Sequence, residues 1–430
     1  MPSQPKSKTK PLGARPSLTS GSGLGEIAYF KAGSKELKKW RPGPVGGADS
    51  SYQVIDMFSG CGGMSLGFAA LSRNTGAFHL IGAVDVNPIS LRTYEDNYKC
   101  PGVVQDIRGL AESPKKLQNF LKSLPGYSST RPTILIGCAP CQGFSAHRKK
   151  NWDKVDTRNS LVEAFARVAS YMKPEVIIME NVPEMLSGRY WPYFEAFKRI
   201  IEPFGYVIKQ DIHNSAAQGV PQERFRAIII AMRKDFSMPI ERLPPSRFVT
   251  VREAFSGLPF VKVGEVSDGD PMHRCANHRK ETIDVIKAVP RDGGNRPVGV
   301  GPKCLQGFKG FADVYGRLRW SKPSITITHY ARNPASGRFV HPDQDRGLTM
   351  REAARLQSFP DGYIFTGPFD DVFRQIGEAV PPLMSLSVAA CVLANLRGES
   401  NPSQDKKETL TKPVNDSFAG VIAGIKMKRR

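Results

Sequence analysis

Seven cysteines are scattered along this 430-residue chain, and one pair is closely spaced: Cys138 and Cys141, in the stretch GCAPCQGFS. Two thiols at that spacing suit a redox couple or half of a zinc site. A proline directly before the second also suits a single nucleophilic cysteine presented at a turn. Upstream lies DMFSGCGGMSLGF, in which Gly60, Gly62 and Gly63 permit a tight turn and close approach of a ligand to the backbone ahead of a helix. No Gly-Lys-Ser/Thr follows, which argues against a Walker-type phosphate loop. Asp85 follows the glycines by about twenty residues, where an acid accepts hydrogen bonds from ribose hydroxyls. Asp106, in VVQDIRG, stands where an acid meets an adenine amino group. Each acid alone suits a loop cap equally well. Together with the glycine turn they point to an adenosine-containing cofactor.

Two further motifs carry charge at the ends of apolar runs. Glu180 closes EVIIMENV, and an acid closing an apolar strand is poorly solvated and suited to sharing a proton with a ring nitrogen. Arg224 and Arg226 lie two apart in PQERFRAIII, hence on one side of an incoming strand. Two guanidiniums there suit an oxygen-rich substrate or a neighbouring carboxylate, or else a solvated edge.

These groups must be positioned by strands. YQVIDMFSG, LIGAVDV (80–86), TILIGCAP (133–140), EVIIMENV (175–182), YVIKQDI (206–212) and RAIIIAM (226–232) read as strands. Between them, 159–172 reads as a helix with Leu161, Phe165, Val168, Ala169 and Met172 on one face and Pro174 closing it; another opens at Trp191–Pro192. Strands alternating with helices predict a doubly wound α/β sheet, whose ligands gather at the carboxyl ends of the strands. The alternation breaks near 245. Residues 246–348 read as a loop-rich second domain. Thr349 and Glu352 have capping-box spacing before TMREAARLQ, and Pro381–Pro382 open a last helix over 381–396. The expected organisation is therefore a disordered tail over 1–50, a main domain over 51–245, the inserted domain over 246–348, a hinge and motif helix over 349–374, a helix completing the main domain over 375–396, and a second tail over 397–430.

The formal net charge is +21 and is unevenly distributed. Residues 1–50 carry +6, residues 246–340 carry +8 and residues 397–430 carry +4, leaving only +3 for the rest. A near-neutral body with a basic insert and basic tails fits a polyanionic partner, nucleic acid above all. There is no run of 18 apolar residues and no apolar leader segment at the N-terminus, so no membrane span and no secretory signal is expected. The unpaired cysteine count fits a reducing compartment.

FSGCGG, APCQGFS, MENVP, GVPQERFR, REAARLQSFPDGY and GEAVPPL, in this order and spacing, resemble the motifs of the DNA (cytosine-5) methyltransferase family over about residues 53–396, apart from 246–320. The resemblance implies a Rossmann-like class I methyltransferase sheet with a smaller, loop-rich target-recognition domain, and S-adenosyl-L-methionine as cofactor. It implies that Cys141 adds to carbon 6 of cytosine. Glu180 would bond ring nitrogen 3 and the exocyclic amine, and Arg226 the carbonyl oxygen, with Arg224 supporting the site. Covalent addition turns an unreactive aromatic carbon into a nucleophile. Phe58, Gly60, Gly62, Gly63, Asp85, Val86, Asp106, Ile107, Pro140, Leu161, Glu378 and Ala379 would form the cofactor site, with no metal. A base inside a duplex must flip out to reach such a pocket, and the basic insert would hold double-stranded DNA.

The implied protein is a monomeric bacterial-type modification enzyme, paired with a restriction endonuclease acting separately or standing alone. It would work in the cytoplasm at the nucleoid, or in the nucleus of a eukaryote. Glu378 departs from the family, which usually has asparagine there; a carboxylate cannot donate as an amide does. Asp85 stands where glutamate is commoner. Other readings are a tRNA methyltransferase, whose Cys-Phe-Thr signature is missing; an inactive DNA-binding regulator; and a zinc or redox protein using Cys138 with Cys141, or His273, Cys275 and His278.

Overall fold

The computed structural model describes residues 24–140, 160–188, 190–305 and 313–400. Nine strands and twelve α-helices run through them. The strands are β1 (Tyr52–Met57), β2 (Phe78–Asp85), β3 (Gly102–Val104), β4 (Thr133–Gly137), β5 (Val176–Asn181), β6 (Val207–Asn214), β7 (Phe225–Met232), β8 (Val266–Ser267) and β9 (Asp270–Arg274). The helices are α1 (Leu24–Lys38), α2 (Gly63–Thr75), α3 (Pro88–Tyr98), α4 (Ile107–Ala111), α5 (Pro114–Ser123), α6 (Ser160–Met172), α7 (Trp191–Ile201), α8 (Val251–Ala254), α9 (Lys280–Lys287), α10 (Met350–Leu356), α11 (Phe369–Glu378) and α12 (Pro382–Leu396).

The first seven strands form one sheet in the order β3-β2-β1-β4-β5-β7-β6. Strands β1 to β5 pair in parallel, and β7 runs antiparallel to both β5 and β6. Along each central strand, alternate residues enter opposite cores, as the two-residue period of a strand requires. Val54, Ile134, Ile136, Ile178 and Ile228 face the core shared with α1, α2, α11 and α12. Ile55, Leu135, Ile177, Met179 and Ile229 face the core shared with α4, α5, α6 and α7. This is the doubly wound class I arrangement that the motifs implied. The switch point lies between β1 and β4, where the chain's connections leave in opposite directions and a crevice opens. Among the described residues, the α11–α12 stretch alone is long and apolar enough to cross a membrane, and 83% of its apolar window is buried in the fold.

Two expectations fail. The reading of 1–50 as a disordered tail gives way at Leu24. Helix α1 packs on α2 and α12, and Tyr29, Gly33 and Leu37 form its buried stripe at a spacing of four, with Trp40 buried just past its end. The Lys-rich outer face of α1 masked that stripe. Glu26 anchors the helix from below, with its Oε1 2.6 Å from the Arg242 guanidinium and 3.2 Å from the Ile240 N–H. The proposed boundary at 374/375 likewise falls inside α11. Residues 1–23 and 401–430 of the expected tails lie outside the described residues.

Regular structure thins after β7. The interval 246–348 holds α8, the β8–β9 pair, α9 and a small apolar cluster of Ile286, Val289, Val314, Tyr315 and Val340. With so few ladders, guanidiniums satisfy the backbone carbonyls instead. Arg317 is fully buried and donates to the carbonyls of Ile286, Val289, His341 and Gln344 and to Asp345. Arg338 donates to those of Gly293, Gly294 and Arg317, and Arg296 to that of Val300. The capping box at Thr349–Glu352 is present and opens α10.

Candidate active site

The parallel strands deliver their last residues to one edge of the sheet. The antiparallel β7 delivers its first residues there, which is why GVPQERFR can meet MENVP. Asn181 pairs with Ala227 in the register, so Arg226 stands just beyond the end of β5. Arg226 Nε lies 2.9 Å from Glu180 Oε1, with both side chains about nine-tenths buried. The approach is not aligned as a hydrogen bond, so this buried carboxylate oxygen keeps acceptor capacity. Asn181 Nδ2 donates to the Ala139 carbonyl at 3.2 Å. That bond ties β5 to the chain leaving β4, two residues before Cys141. Cys141 itself lies outside the described residues. Pro140, partly buried, is the last described residue before it. Cys138 is partly buried at the strand end, its N–H bonded to the Met57 carbonyl at 3.3 Å. Burial, with Glu180 nearby, raises its thiol well above the ordinary range.

Arg224 does something other than face a substrate. It is buried, and its terminal nitrogens donate to the carbonyls of Ile327, Gly377 and Ala379 at 3.0, 3.3 and 3.2 Å. The arginine expected to support the site thus acts as a positioning residue and not as a group facing substrate. It fastens the start of β7 to the end of α11 and to the chain returning from the inserted interval. Residue 224 directly precedes β7, which begins at Phe225, so its side chain is not held on the strand face.

The glycine turn follows β1. Phe58, Gly60 and Gly62 all have positive φ, at 58°, 51° and 89°. For a residue as bulky as phenylalanine this is a strained conformation of the kind that collects at binding sites. A Cβ on Gly60 would meet nothing within 4 Å, so this side of the turn is open. One on Gly62 would strike Tyr94 and Tyr98, and one on Gly63 the Val380 carbonyl, so the other side is closed. Gly63 is buried at the first turn of α2 against Ala379 and Val380. Asp85 accepts from the Gly60 N–H at 2.8 Å and the Asn87 N–H at 2.8 Å, one to each carboxylate oxygen. Burial raises its carboxyl above the usual range while these N–H groups pull it down. Each oxygen retains a lone pair for a ribose hydroxyl. Val86 beside it is 66% exposed, an apolar surface at the crevice for a base to lie on.

Asp106 caps α4 and accepts from the Arg108 N–H at 2.9 Å. Arg108 also pairs with it side chain to side chain and holds its carboxyl below the usual range. It is the loop-cap arrangement that its type alone also suited. Ile107 is buried behind it, as is Leu161 near the start of α6. Glu378 ends α11 and is exposed; desolvation of its carboxyl raises it, with Arg374 pulling it down and Asp85 pushing it up. Ala379 is buried beside it. The donor set fits an adenosyl cofactor: an open glycine turn, a ribose acceptor, an exposed apolar platform and a second carboxylate near the first.

The zinc reading on His273, Cys275 and His278 is not supported. His273 bonds Thr349 and the Pro259 carbonyl, and Cys275 Sγ donates to the Lys262 carbonyl. His278 Nε2 accepts from the Gly347 N–H, so each has its own local partner.

Residues 52–393 match the family model for C-5 cytosine-specific DNA methylases. The chain belongs to this family. Its relatives include the type II methylase M.HgiDII of Herpetosiphon aurantiacus, 32% identical over 361 residues that cover 80% of this chain and 96% of that protein. Another is the type II methyltransferase M.XorII of Xanthomonas oryzae, 33% identical over 385 residues covering 80% and 85% of the two chains. The sheet has the fold of a protein encoded within an Escherichia coli prophage, with a TM-score of 0.63, 24% identity and coverage of 81% of this chain and all of that one. The family transfers methyl groups to carbon 5 of cytosine in DNA, through cysteine addition to a flipped base. Sequence reasoning missed Asn181 as a tether, and it missed the phenols of Tyr98 and Tyr363 behind the glycine turn. Both tyrosines lie inside helix-like or motif stretches, and nothing in their spacing announces where their hydroxyls point.

Proposed function

We propose that this chain is a modification methylase that takes a methyl group from S-adenosylmethionine and places it on carbon 5 of cytosine in a short specific sequence of duplex DNA. The observation that carries the assignment of roles is the meeting of Glu180 and Arg226 at 2.9 Å beside the strand end that leads through Pro140 to Cys141. Cys141 is the nucleophile toward carbon 6. Glu180 bonds the exocyclic amine and ring nitrogen 3, and Arg226, already paired with Glu180, reaches the carbonyl oxygen. Asp85 holds the ribose, Val86 and Phe58 flank the base, and Gly60 to Gly63 give the backbone that approaches the rest. When bound, the cofactor supplies the electrophilic methyl group. The interval 246–348 serves as the target-recognition domain. The enzyme acts as a monomer, and a separate endonuclease reads the same sequence.

The purified chain should transfer labelled methyl groups to duplex DNA, and Cys141→Ser should abolish transfer. DNA carrying 5-fluorocytosine at the target should be trapped covalently, since no proton can leave carbon 5. Turnover by the serine variant, or labelling of tRNA in place of DNA, would refute the assignment. Bisulfite sequencing of DNA from a host expressing the chain gives the target sequence.

A further inference from the structure

The glycine turn is held from behind by two phenols that no part of the assigned mechanism uses. Tyr98, at the end of α3, donates its hydroxyl to the Gly62 carbonyl at 2.6 Å. Tyr363, in the chain between α10 and α11, donates to the Cys61 carbonyl. The two hydroxyl oxygens lie 3.3 Å apart, and both rings are buried. The Cys61 thiol points the same way, toward the Gln375 carbonyl at 3.5 Å.

The two carbonyls differ in their other partners. Gly62 O also accepts the Leu66 N–H at 3.0 Å, the first bond of α2. The bond recorded for Cys61 O is the one from Tyr363. A trans peptide is planar, so the direction of each carbonyl fixes the N–H of the following residue. Pinning Cys61 O and Gly62 O therefore fixes the Gly62 and Gly63 N–H groups and the path of the turn between them. Glycines make this turn possible and also leave it free to relax; the Gly62 N–H to Ser59 carbonyl bond at 2.9 Å and the Gly60 N–H to Asp85 bond at 2.8 Å hold it from one side, and the phenols hold its carbonyls from the other.

We propose that Tyr363, backed by Tyr98, is a positioning residue for the cofactor turn: its phenol holds the Cys61 carbonyl and so keeps residues 60–63 in the form that accepts S-adenosylmethionine. The inference rests on the reading of this turn as the cofactor site. It also gives the segment around Tyr363 a stake in cofactor binding. That segment is docked on α3 through Asn97, which bonds the Ile364 N–H and carbonyl at 3.1 and 2.7 Å, and through Thr93, which bonds the Thr366 N–H at 2.9 Å.

Tyr94 supplies an internal control. It is equally buried and its ring packs against Tyr98, but its hydroxyl lies 2.9 Å from Ser65 Oγ instead of a turn carbonyl. Phenylalanine at each position keeps the ring and removes only the hydroxyl. Affinity for S-adenosylhomocysteine, measured by calorimetry, should fall about tenfold in Tyr363→Phe, where a buried carbonyl loses its recorded partner. It should fall roughly two- to threefold in Tyr98→Phe, where the Leu66 bond remains, and stay unchanged in Tyr94→Phe. The KM for S-adenosylmethionine should rise in the same order, with kcat at saturation and DNA affinity unchanged.

Equal affinities in the three variants would overturn the inference, as would a loss in Tyr94→Phe matching that in Tyr363→Phe. Failure of the unmodified protein to bind S-adenosylhomocysteine would instead overturn the cofactor reading. If the variants do not fold, hydrogen exchange on the unmodified protein decides. Adding S-adenosylhomocysteine should slow exchange in 361–366 together with 58–66. Slowing in 58–66 alone refutes the coupling.

Discussion

Replacing Asp56 with asparagine should give a stability advantage that grows with pH. Asp56 sits near the end of β1, fully buried, just ahead of the cofactor turn. Ser65 donates to its Oδ2 at 2.6 Å, and its Oδ1 has no hydrogen-bond partner. Burial, with Asp85 adding to it, raises the carboxyl from its usual 3.8 to about 7, against the pull of the Ser65 hydroxyl. An acid whose folded value lies above its unfolded value contributes fully below the unfolded value. The contribution is lost as the pH climbs to the folded one, because the unfolded chain ionises first. The span from 3.8 to about 7 corresponds to ~4 kcal/mol. Asparagine does not titrate, so the titration part of its advantage over aspartate should grow from near zero at pH 4 to most of that figure by pH 8. The unpartnered amide N–H2 would subtract about 1–3 kcal/mol at every pH, so the diagnostic is the growth and not the absolute difference. Urea unfolding followed by circular dichroism at pH 4.5, 6, 7 and 8.5 measures it. A difference that stays flat across that range would show that Asp56 is ionised throughout and that its burial is less complete than the packing indicates.

Cys138→Ala should retain methyl transfer, since the raised Cys138 thiol is not a nucleophile at neutral pH; loss of turnover in a folded variant would restore the paired-cysteine reading. Arg224→Lys should destabilise the protein by about 3 kcal/mol, because an ammonium cannot reach the carbonyls of Ile327, Gly377 and Ala379 together; chemical denaturation reads this. Burial alone would raise Glu352, but the Arg346 guanidinium 2.7 Å away outweighs it and holds the carboxyl at about 2. Its contribution is present above about pH 4.5 and is lost as pH falls through about 2. Glu352→Gln should therefore cost about 3–5 kcal/mol at pH 7 by stranding Arg346, and the gap in thermal melts should narrow below pH 4.5. Arg319→Ala, at an exposed cation, should leave stability intact and reduce the salt slope of DNA binding by about one.

Much of the sheet was legible because its signal is local. Six of the seven strands announce themselves as apolar runs ending in a charged or glycine-rich turn, and the alternating cores on either side of β1, β4 and β5 follow from a two-residue period. β3 escaped because three residues, Gly102–Val104, carry no period. α1 escaped because its buried stripe is diluted by lysines and glycines that count as tail composition. Among site residues, those at strand ends were placed by the topology once the strands were known: Asp85, Glu180 and Arg226. The functions of Arg224 and Tyr363 depend on contacts 103 and 302 positions away along the chain, and no window of sequence contains them; Tyr98 reaches Gly62 across 36 positions, and no periodicity marks that contact.

The same distance effect limits what charge can say about DNA binding. Residues 246–340 have a net charge of +8, which suggests a cationic surface for phosphates. Yet Arg296 and Arg317 are buried, and Arg338 is engaged by three carbonyls. These cations do the work that ladders do elsewhere, because a loop-rich unit has carbonyls facing inward with no strand to answer them. A guanidinium with several N–H donors in a fixed fork is suited to that task. Arginine enrichment in such a unit therefore has two physical causes, and only one is a polyanionic partner. The cations left for DNA are exposed ones such as Arg319 and Lys322. They shortly precede Ser324, which pairs with Gln222 in the same motif that delivers Arg226 to Glu180. The segment that carries Arg319 and Lys322 is thus bridged in space to the one that leads into β7 and Arg226, although the two are distant in sequence.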